Sequence, residues 1–169
     1  PPDRMITGTP NLFGLTLDSK GDRLYCSRPG PRQIAVFDQA SAINGTAPQS
    51  RSFTAPGLLS PAGMFLDSAR NRLYVADQNS DQIFIFKDPH KLSGTVTPAA
   101  ILGGSNTGFV FPRNVAVDVF RDQLYVLDFT ANAAFIFNSA STVSGNVAPD
   151  RVIQGPKLNG PGGLLLIPQ

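Results

Sequence analysis

Short apolar runs and polar turns alternate along this chain, and the alternation itself recurs. Gly63-Met64-Phe65-Leu66-Asp67 is a continuous apolar run, the pattern of a strand covered on both faces. Ser68-Ala69-Arg70-Asn71 reads as a polar turn, and Arg72-Leu73-Tyr74-Val75-Ala76 alternates and is rich in strand formers. A second turn over Asp77-Gln78-Asn79-Ser80-Asp81 leads to a third strand, Gln82-Ile83-Phe84-Ile85-Phe86. After a longer connection through Leu92 and Gly94, Ala99-Ala100-Ile101-Leu102-Gly103 makes a fourth. The order predicts an antiparallel meander of short strands, named A to D from first to last.

The meander is written three times. Asp18, Asp67 and Asp118 close the A strands at intervals of 49 and 51 residues. Leu24-Tyr25, Leu73-Tyr74 and Leu124-Tyr125 recur at the same spacing, as do Phe37, Phe86 and Phe137, then Gly45, Gly94 and Gly145. A fixed period of this length marks one supersecondary unit copied, and such units bury their apolar faces only against neighbours. In the outer copies, strand A is Gly14-Leu15-Thr16-Leu17 and Asn114-Val115-Ala116-Val117. Strand C is Ile34-Ala35-Val36-Phe37 and Ala134-Phe135-Ile136-Phe137, and strand D is Arg51-Ser52-Phe53-Thr54 and Arg151-Val152-Ile153-Gln154. Both ends extend the pattern. Pro2-Asp3-Arg4-Met5-Ile6-Thr7-Gly8 matches Pro149 to Gly155, so the chain opens on an outer D strand, and Gly163-Leu164-Leu165-Leu166-Ile167 matches the A strands.

Four-stranded antiparallel units of this size are propeller blades, with A at the axis and D at the rim. The expected fold class is therefore all-β, a β-propeller with three complete blades, one extra D strand at the N-terminus and one extra A strand at the C-terminus. The predicted organisation of the partial propeller 1–169 is strand D of a preceding blade at 1–8, blades at 12–56, 61–104 and 112–155, and strand A of a following blade at 161–169. Propellers close with about four to eight blades. Closure is thus expected from further blades of the same chain or from a second subunit, the former preferred. The opening Pro1-Pro2-Asp3 agrees with a processed or truncated chain.

Composition sharpens the picture. All 12 acidic residues are Asp, a turn and cap residue, and 16 Gly and 15 Pro accompany them, so a long helix is not expected. With 41% hydrophobic and 15% charged residues, the chain is no disordered tail. The net charge of +2 and the scattered arginines argue against a nucleic-acid surface. Cys26 stands where the other copies have Val75 and Val126, so it reads as a small buried apolar residue. No stretch approaches the ~20 apolar residues of a membrane span.

The pattern Pro-x-Gly-apolar-Asp, Leu-Tyr-Val, Ile-x-x-Phe resembles the NHL-repeat propellers. Arg4-x-Ile6-x-Gly8, Ala40-Ser41 with Gly45-Thr46-Ala47-Pro48, and Ala140-Ser141 with Gly145-Asn146-Val147-Ala148-Pro149 bring it nearer to the bacterial NHL-like family. The resemblance spans essentially the whole chain and rests on residues that build blades. It implies the propeller fold and leaves function open among three classes. The preferred one is a non-enzymatic binding or scaffold module in the bacterial periplasm or outside the cell, offering its axial loops to a protein or small ligand. A metal-dependent lactonase or lyase is the alternative, with its catalytic residues in blades absent from this chain. RNA binding, known in some NHL propellers, is disfavoured by the scattered arginines.

Candidate chemistry is sparse. Asp18, Asp67 and Asp118 could form an acidic trio, but a residue repeated in every blade reads as a turn cap, and Asp77 and Asp128 read the same way. The single histidine, His90, belongs to a C–D connection and reads as a loop residue. No catalytic set, metal site or cofactor is expected. Positions where the copies differ are freer to serve a site. Arg113-Asn114 replaces the small pair Ala62-Gly63 beside the axis, where Phe13 is also equivalent. The loops around that mouth add Arg28, Arg32, Gln78, Asn79, Asp81, Asn106 and Asn132, with Phe109 and Phe111 beside them. Arg113 could bind a carboxylate or phosphate with its planar donor fork, although a salt bridge across the channel is the preferred expectation.

Overall fold

The computed structural model describes residues 3, 5–8, 11–155, 158 and 160–163. Its chain is almost wholly strand and turn. β1 (Ile6–Thr7) precedes a first blade of β2 (Leu15–Asp18), β3 (Arg23–Arg28), β4 (Gln33–Asp38), the short β5 (Gly45–Thr46) and β6 (Arg51–Thr54). The second blade comprises β7 (Pro61–Asp67), β8 (Arg72–Asp77), β9 (Gln82–Lys87), the short β10 (Gly94–Thr95) and β11 (Ala100–Gly103). The third comprises β12 (Pro112–Asp118), β13 (Gln123–Asp128), β14 (Ala133–Asn138) and β15 (Arg151–Gln154). Each blade is an antiparallel meander, β2-β3-β4-β6, β7-β8-β9-β11 and β12-β13-β14-β15. These are the blades of a β-propeller whose sheets do not close into a ring among the described residues.

Strand periodicity explains how the blades stack. In β8, Leu73 and Val75 face the first blade, while Tyr74 and Ala76 face the third. In β9, Phe84 and Phe86 point one way and Ile83 and Ile85 the other. Successive strand residues alternate between faces, so a strand apolar at every position serves two cores at once. The first seam packs Tyr25, Ile34, Val36 and Phe53 against Met64, Leu73, Val75, Phe84 and Phe86. Phe53 meets Phe86 edge to face at 5.2 Å between ring centroids. The second seam packs Tyr74, Ile83, Ile85 and Leu102 against Val115, Val117, Leu124, Val126, Phe135 and Phe137. Cys26 is buried, as its slot implied, and burial pushes its thiol up to about 11.

The repeated glycines have a role that the sequence reading did not assign. Each C–D connection climbs along the outer strand of the preceding blade and pairs with it in parallel. Gly45 pairs with Ile6, Gly94 with Phe53, and Gly145 with Leu102, three equivalent positions. The amide of Gly45 donates to Met5 at 2.7 Å, and that of Gly145 donates to Ile101 at 2.7 Å. All three glycines have φ between +69° and +77°, and a Cβ on any of them would meet nothing within 4 Å. Backbone conformation rather than space therefore demands glycine here. Among the described residues β6 and β11 are thus hydrogen-bonded on both sides, while β15 is paired only with β14. The N-terminal segment behaves accordingly, β1 pairing with β5 as a preceding D strand would. The expected A strand at Gly163–Ile167 lies, apart from Gly163, outside the described residues.

Phe86 is buried on all sides, so Phe86→Ala should lower unfolding stability by about 3–5 kcal/mol in urea titration. A loss below about 1 kcal/mol would mean that the seam repacks freely.

Candidate functional site

The two ends of the sheet stack differ in how their turns are tied. At the A–B end the repeated Asp is a turn cap, as expected. Asp67 Oδ1 accepts the amides of Ala69 and Arg70, and Asp118 Oδ1 accepts those of Phe120 and Arg121. These bonds hold the Asp118 carboxyl below its ordinary range, helped by the Arg121 guanidinium. Asp18 accepts the amide of Gly21 and pairs with Arg23 at 3.3 Å.

At the axial end, the buried Asp77 and Asp128 tie two loops together. Asp77 Oδ2 accepts the amides of Leu59 and Ser60 from the D–A loop at 2.8 and 2.7 Å. Its Oδ1 accepts the amides of Asn79 and Ser80, and the Ser80 hydroxyl, from the B–C loop. Asp128 repeats this with Val110, Phe111, Thr130 and Ala131. An ionised carboxylate is an acceptor on every side, which suits it to gather amides from two converging loops. Leu59 and Val110, the equivalent residues whose amides are held this way, remain exposed. In the first blade Arg28 occupies the position of these aspartates. There the tie is a different one, the Ser27 hydroxyl accepting the Gly14 amide at 2.8 Å.

Arg113 sits where the ladder between β12 and β13 slips between Pro112 and Asn114, and such bulges re-aim side chains. The expected salt bridge is not what holds it. Its guanidinium lies over the Phe129 ring at 4.8 Å and over Phe13 at 5.4 Å, and Phe129 in turn meets Phe111 edge to face. Cation–π contacts leave the edge of the guanidinium fork available, because ring faces take no N–H bonds in its plane. Asn114 is turned to its own backbone, its Oδ1 accepting the Val115 amide. The neighbouring blade must be bare beside it. A Cβ on Gly63 would stand 2.5 Å from Asn114 Oδ1 and 2.7 Å from the Arg113 carbonyl.

The remaining candidates separate. Arg32, Gln78, Asn79, Asp81 and Asn132 all lie in the B–C loops of this end, Gln78 largely buried. Arg32, Asp81 and Asn132 are the left-handed residues that close those loops, with φ of 55°, 54° and 51°. Asn132 Oδ1 accepts the Gly160 amide at 2.8 Å. Arg28 ends β3 and bonds Gln49 at 2.9 Å. Asn106 is drawn to the rim by Asn146, whose Oδ1 accepts its amide at 2.7 Å. Phe109 is core, packed on Phe135 and Phe137. The residues missed were Phe129, Leu59 and Val110. An apolar residue in a loop reads as core until its exposure is known. The only signal for Phe129 was that an aromatic follows the clamp aspartate where the second copy has Gln78.

Among the described residues no group of three or more His, Cys, Asp or Glu is placed to hold a metal. No helix among them is long and apolar enough to cross a membrane. No family model matches the chain, and no curated protein matches it significantly in sequence. Solved structures are similar in fold. One is hydrazine synthase of Kuenenia stuttgartiensis, with TM-score 0.64 at 14% identity, over 90% of this chain and 38% of that one. Another is a chain of a nidogen/laminin complex, with TM-score 0.62 at 17% identity, over 91% and 51% respectively. This chain thus spans only about two fifths to one half of these neighbours.

Two outcomes follow from the clamp. Asp77→Ala orphans amides in two loops and should cost at least about 3 kcal/mol by urea unfolding, with the D–A loop amides losing hydrogen-exchange protection first. Asp81 stands near Asp77 and Asp128; burial and these charges raise its pKa above the ordinary 3.8. The folded chain therefore holds this proton more tightly than the unfolded chain. The resulting stability is present below pH 3.8 and is lost as pH rises through the raised folded value. Asp81→Asn should then stabilise more at pH 7 than at pH 3, by roughly 0.5 kcal/mol for so exposed a group. An equal effect at both pH values would show that the charge is not responsible.

Proposed function

We propose that this chain is a non-enzymatic binding module that uses the axial loop face of its blades to hold a protein. The observation that supports this most is the composition of that face. Arg113 lies stacked on Phe13 and Phe129, with the exposed Leu12, Leu59 and Val110 in neighbouring loops of the same end. An arginine with aromatic and aliphatic neighbours on a rigid base is the make-up of a protein-binding hot spot. Preorganisation by the Asp77 and Asp128 clamps lowers the ordering cost of binding. One fold neighbour comes from a nidogen/laminin complex, which agrees with a propeller serving protein recognition. Membership of the bacterial NHL-like family and a place in the periplasm or outside the cell belong to the same proposal. They are supported by the blade motif and by the low charge of 15%.

A second part concerns the outer faces. Ile153 is 55% exposed, whereas Phe53 and Leu102, its equivalents at the seams, are 1% and 0% exposed. Leu15 and Leu17 on β2 are likewise exposed on the opposite side of the stack. Uncovered apolar faces of this kind are covered in folded proteins. Further blades of the same polypeptide, or those of a second subunit, suit both.

A photo-crosslinking residue placed at Val110 should capture a partner in extracts of the source organism, and one placed at Arg121 on the opposite end should not. The purified partner should then bind the Arg113→Ala chain at least about tenfold more weakly, equivalent to about 1.4 kcal/mol. Capture from Arg121 alone, or an affinity indifferent to Arg113, would sink the proposal.

A further inference from the structure

The two seams between blades should be alike at the A–B end, and they are not. In the second seam Arg70 closes the gap. Its guanidinium bonds Asp67 at 2.9 Å and the Val119 carbonyl at 2.9 Å, and lies 3.7 Å from Asp122. Beside it the buried Tyr74 hydroxyl donates to the Ala140 carbonyl at 3.0 Å. In the first seam Asp18 and Tyr25 keep the places of Asp67 and Tyr74, but the other four pieces are changed. Gly21 stands at the Arg70 position, Ser68 at the Val119 position and the neutral Asn71 at the Asp122 position. Pro89 replaces Ala140, and its carbonyl already accepts the Leu92 amide within the 3-10 turn Pro89–Lys91.

A cleft of about 250 Å³ is left where the bridging arginine would have been, between the A–B turns of the first two blades and that turn. Tyr25 lines it, and its hydroxyl is buried without a hydrogen-bond partner. A buried hydroxyl without a partner is rare and costly, so it points to a group that belongs in the cleft. Burial pushes this hydroxyl up to about 12, so it keeps its proton and can only gain by donating to an acceptor. The other polar walls are mostly donors. Lys20 brings positive charge, Arg23 is ion-paired with Asp18 and Asp38, and Asn71 and His90 add hydrogen-bonding capacity. The one lining carboxylate, Asp18, is occupied by the Gly21 amide and Arg23. Leu66, Pro89 and the Tyr25 ring supply apolar surface.

We propose that this seam cleft is a binding site for a small organic carboxylate, about the size of a single-ring acid. The carboxylate accepts from Tyr25 and faces Lys20, while its apolar body lies against Leu66 and Pro89. The site is independent of the axial face, which lies at the other end of the blades.

Benzoate is a suitable probe, with neutral benzyl alcohol and inorganic phosphate as controls, titrated into ¹⁵N-labelled protein. Benzoate should shift the Gly21 and Asn71 amides saturably at millimolar concentration or below, and benzyl alcohol should not. Tyr25→Phe should leave the chain as stable or more so, having removed an unpaired hydroxyl, and should weaken benzoate at least tenfold. Gly21→Arg should abolish the shifts by rebuilding the bridge of the second seam. A Cβ at Gly21 would collide with Arg23 Nη1, so Arg23 must yield, and Tyr25→Phe provides the arm that does not disturb the turn. The proposal is overturned if benzoate moves nothing at these amides, if its shifts survive both substitutions, or if phosphate alone binds. A Tyr25→Phe chain that is clearly destabilised would equally overturn it, because the hydroxyl would then be satisfied by trapped water.

Discussion

A sheet that is apolar on both faces is unstable until both faces are covered, and this constraint governs the molecule. The strands of the second blade carry alternating residues into two separate cores, Leu73 and Val75 into one and Tyr74 and Ala76 into the other. Burial of apolar surface is the main favourable term in folding, and here it is available only through neighbours. Tilting or removing one blade therefore uncovers residues of another. The parallel pairing at Gly45, Gly94 and Gly145 adds direction to this stacking, because each blade lends a short segment to the edge of the blade before it. An outer strand that would otherwise expose unpaired amides and carbonyls is thereby blunted.

Once the blades are stacked, carboxylates shape their ends. Asp67 and Asp118 serve single turns, so they act locally. Asp77 and Asp128 reach across from strand ends to loops 17 and 18 residues away, so they act only in the folded sheet. This difference explains why the axial end is a firm platform. Its exposed apolar residues are positioned by backbone amides bound to buried charge, and their side chains are left for other contacts.

Departures from the repeat are where the copies differ in chemistry. Arg113 takes a small residue's place at a bulge beside the axis and becomes a stacked cation. Gly21 takes the place of a bridging arginine, and a seam opens beside an unpaired tyrosine hydroxyl. Tyr125 shows the same logic at the outer face. With no loop of a following blade beside it among the described residues, its hydroxyl turns to Gln123 of its own strand at 3.0 Å. In each instance the strand scaffold is unchanged and a single side chain redirects the chemistry.

The blade, its strand order and the phase of each strand were legible in the chain, because alternation of side chains between faces is a local consequence of extended backbone. Asp18, Asp67 and Asp118 could be recognised as caps for the same reason, since their partners lie within three residues. The reach of the C–D connection onto the neighbouring blade could not, because Gly94 and Phe53 are partners only after two sheets have docked. Nor could the support beneath Arg113. A salt bridge and a stack on two rings demand the same residue type, and only the docked loops bring Phe13 and Phe129 beneath the guanidinium. Sequence by itself determined what every blade must share. Tertiary structure decided where the copies differ to effect, since a cleft, an exposed loop residue or an unpaired hydroxyl is a property of neighbours in space and not of neighbours along the chain.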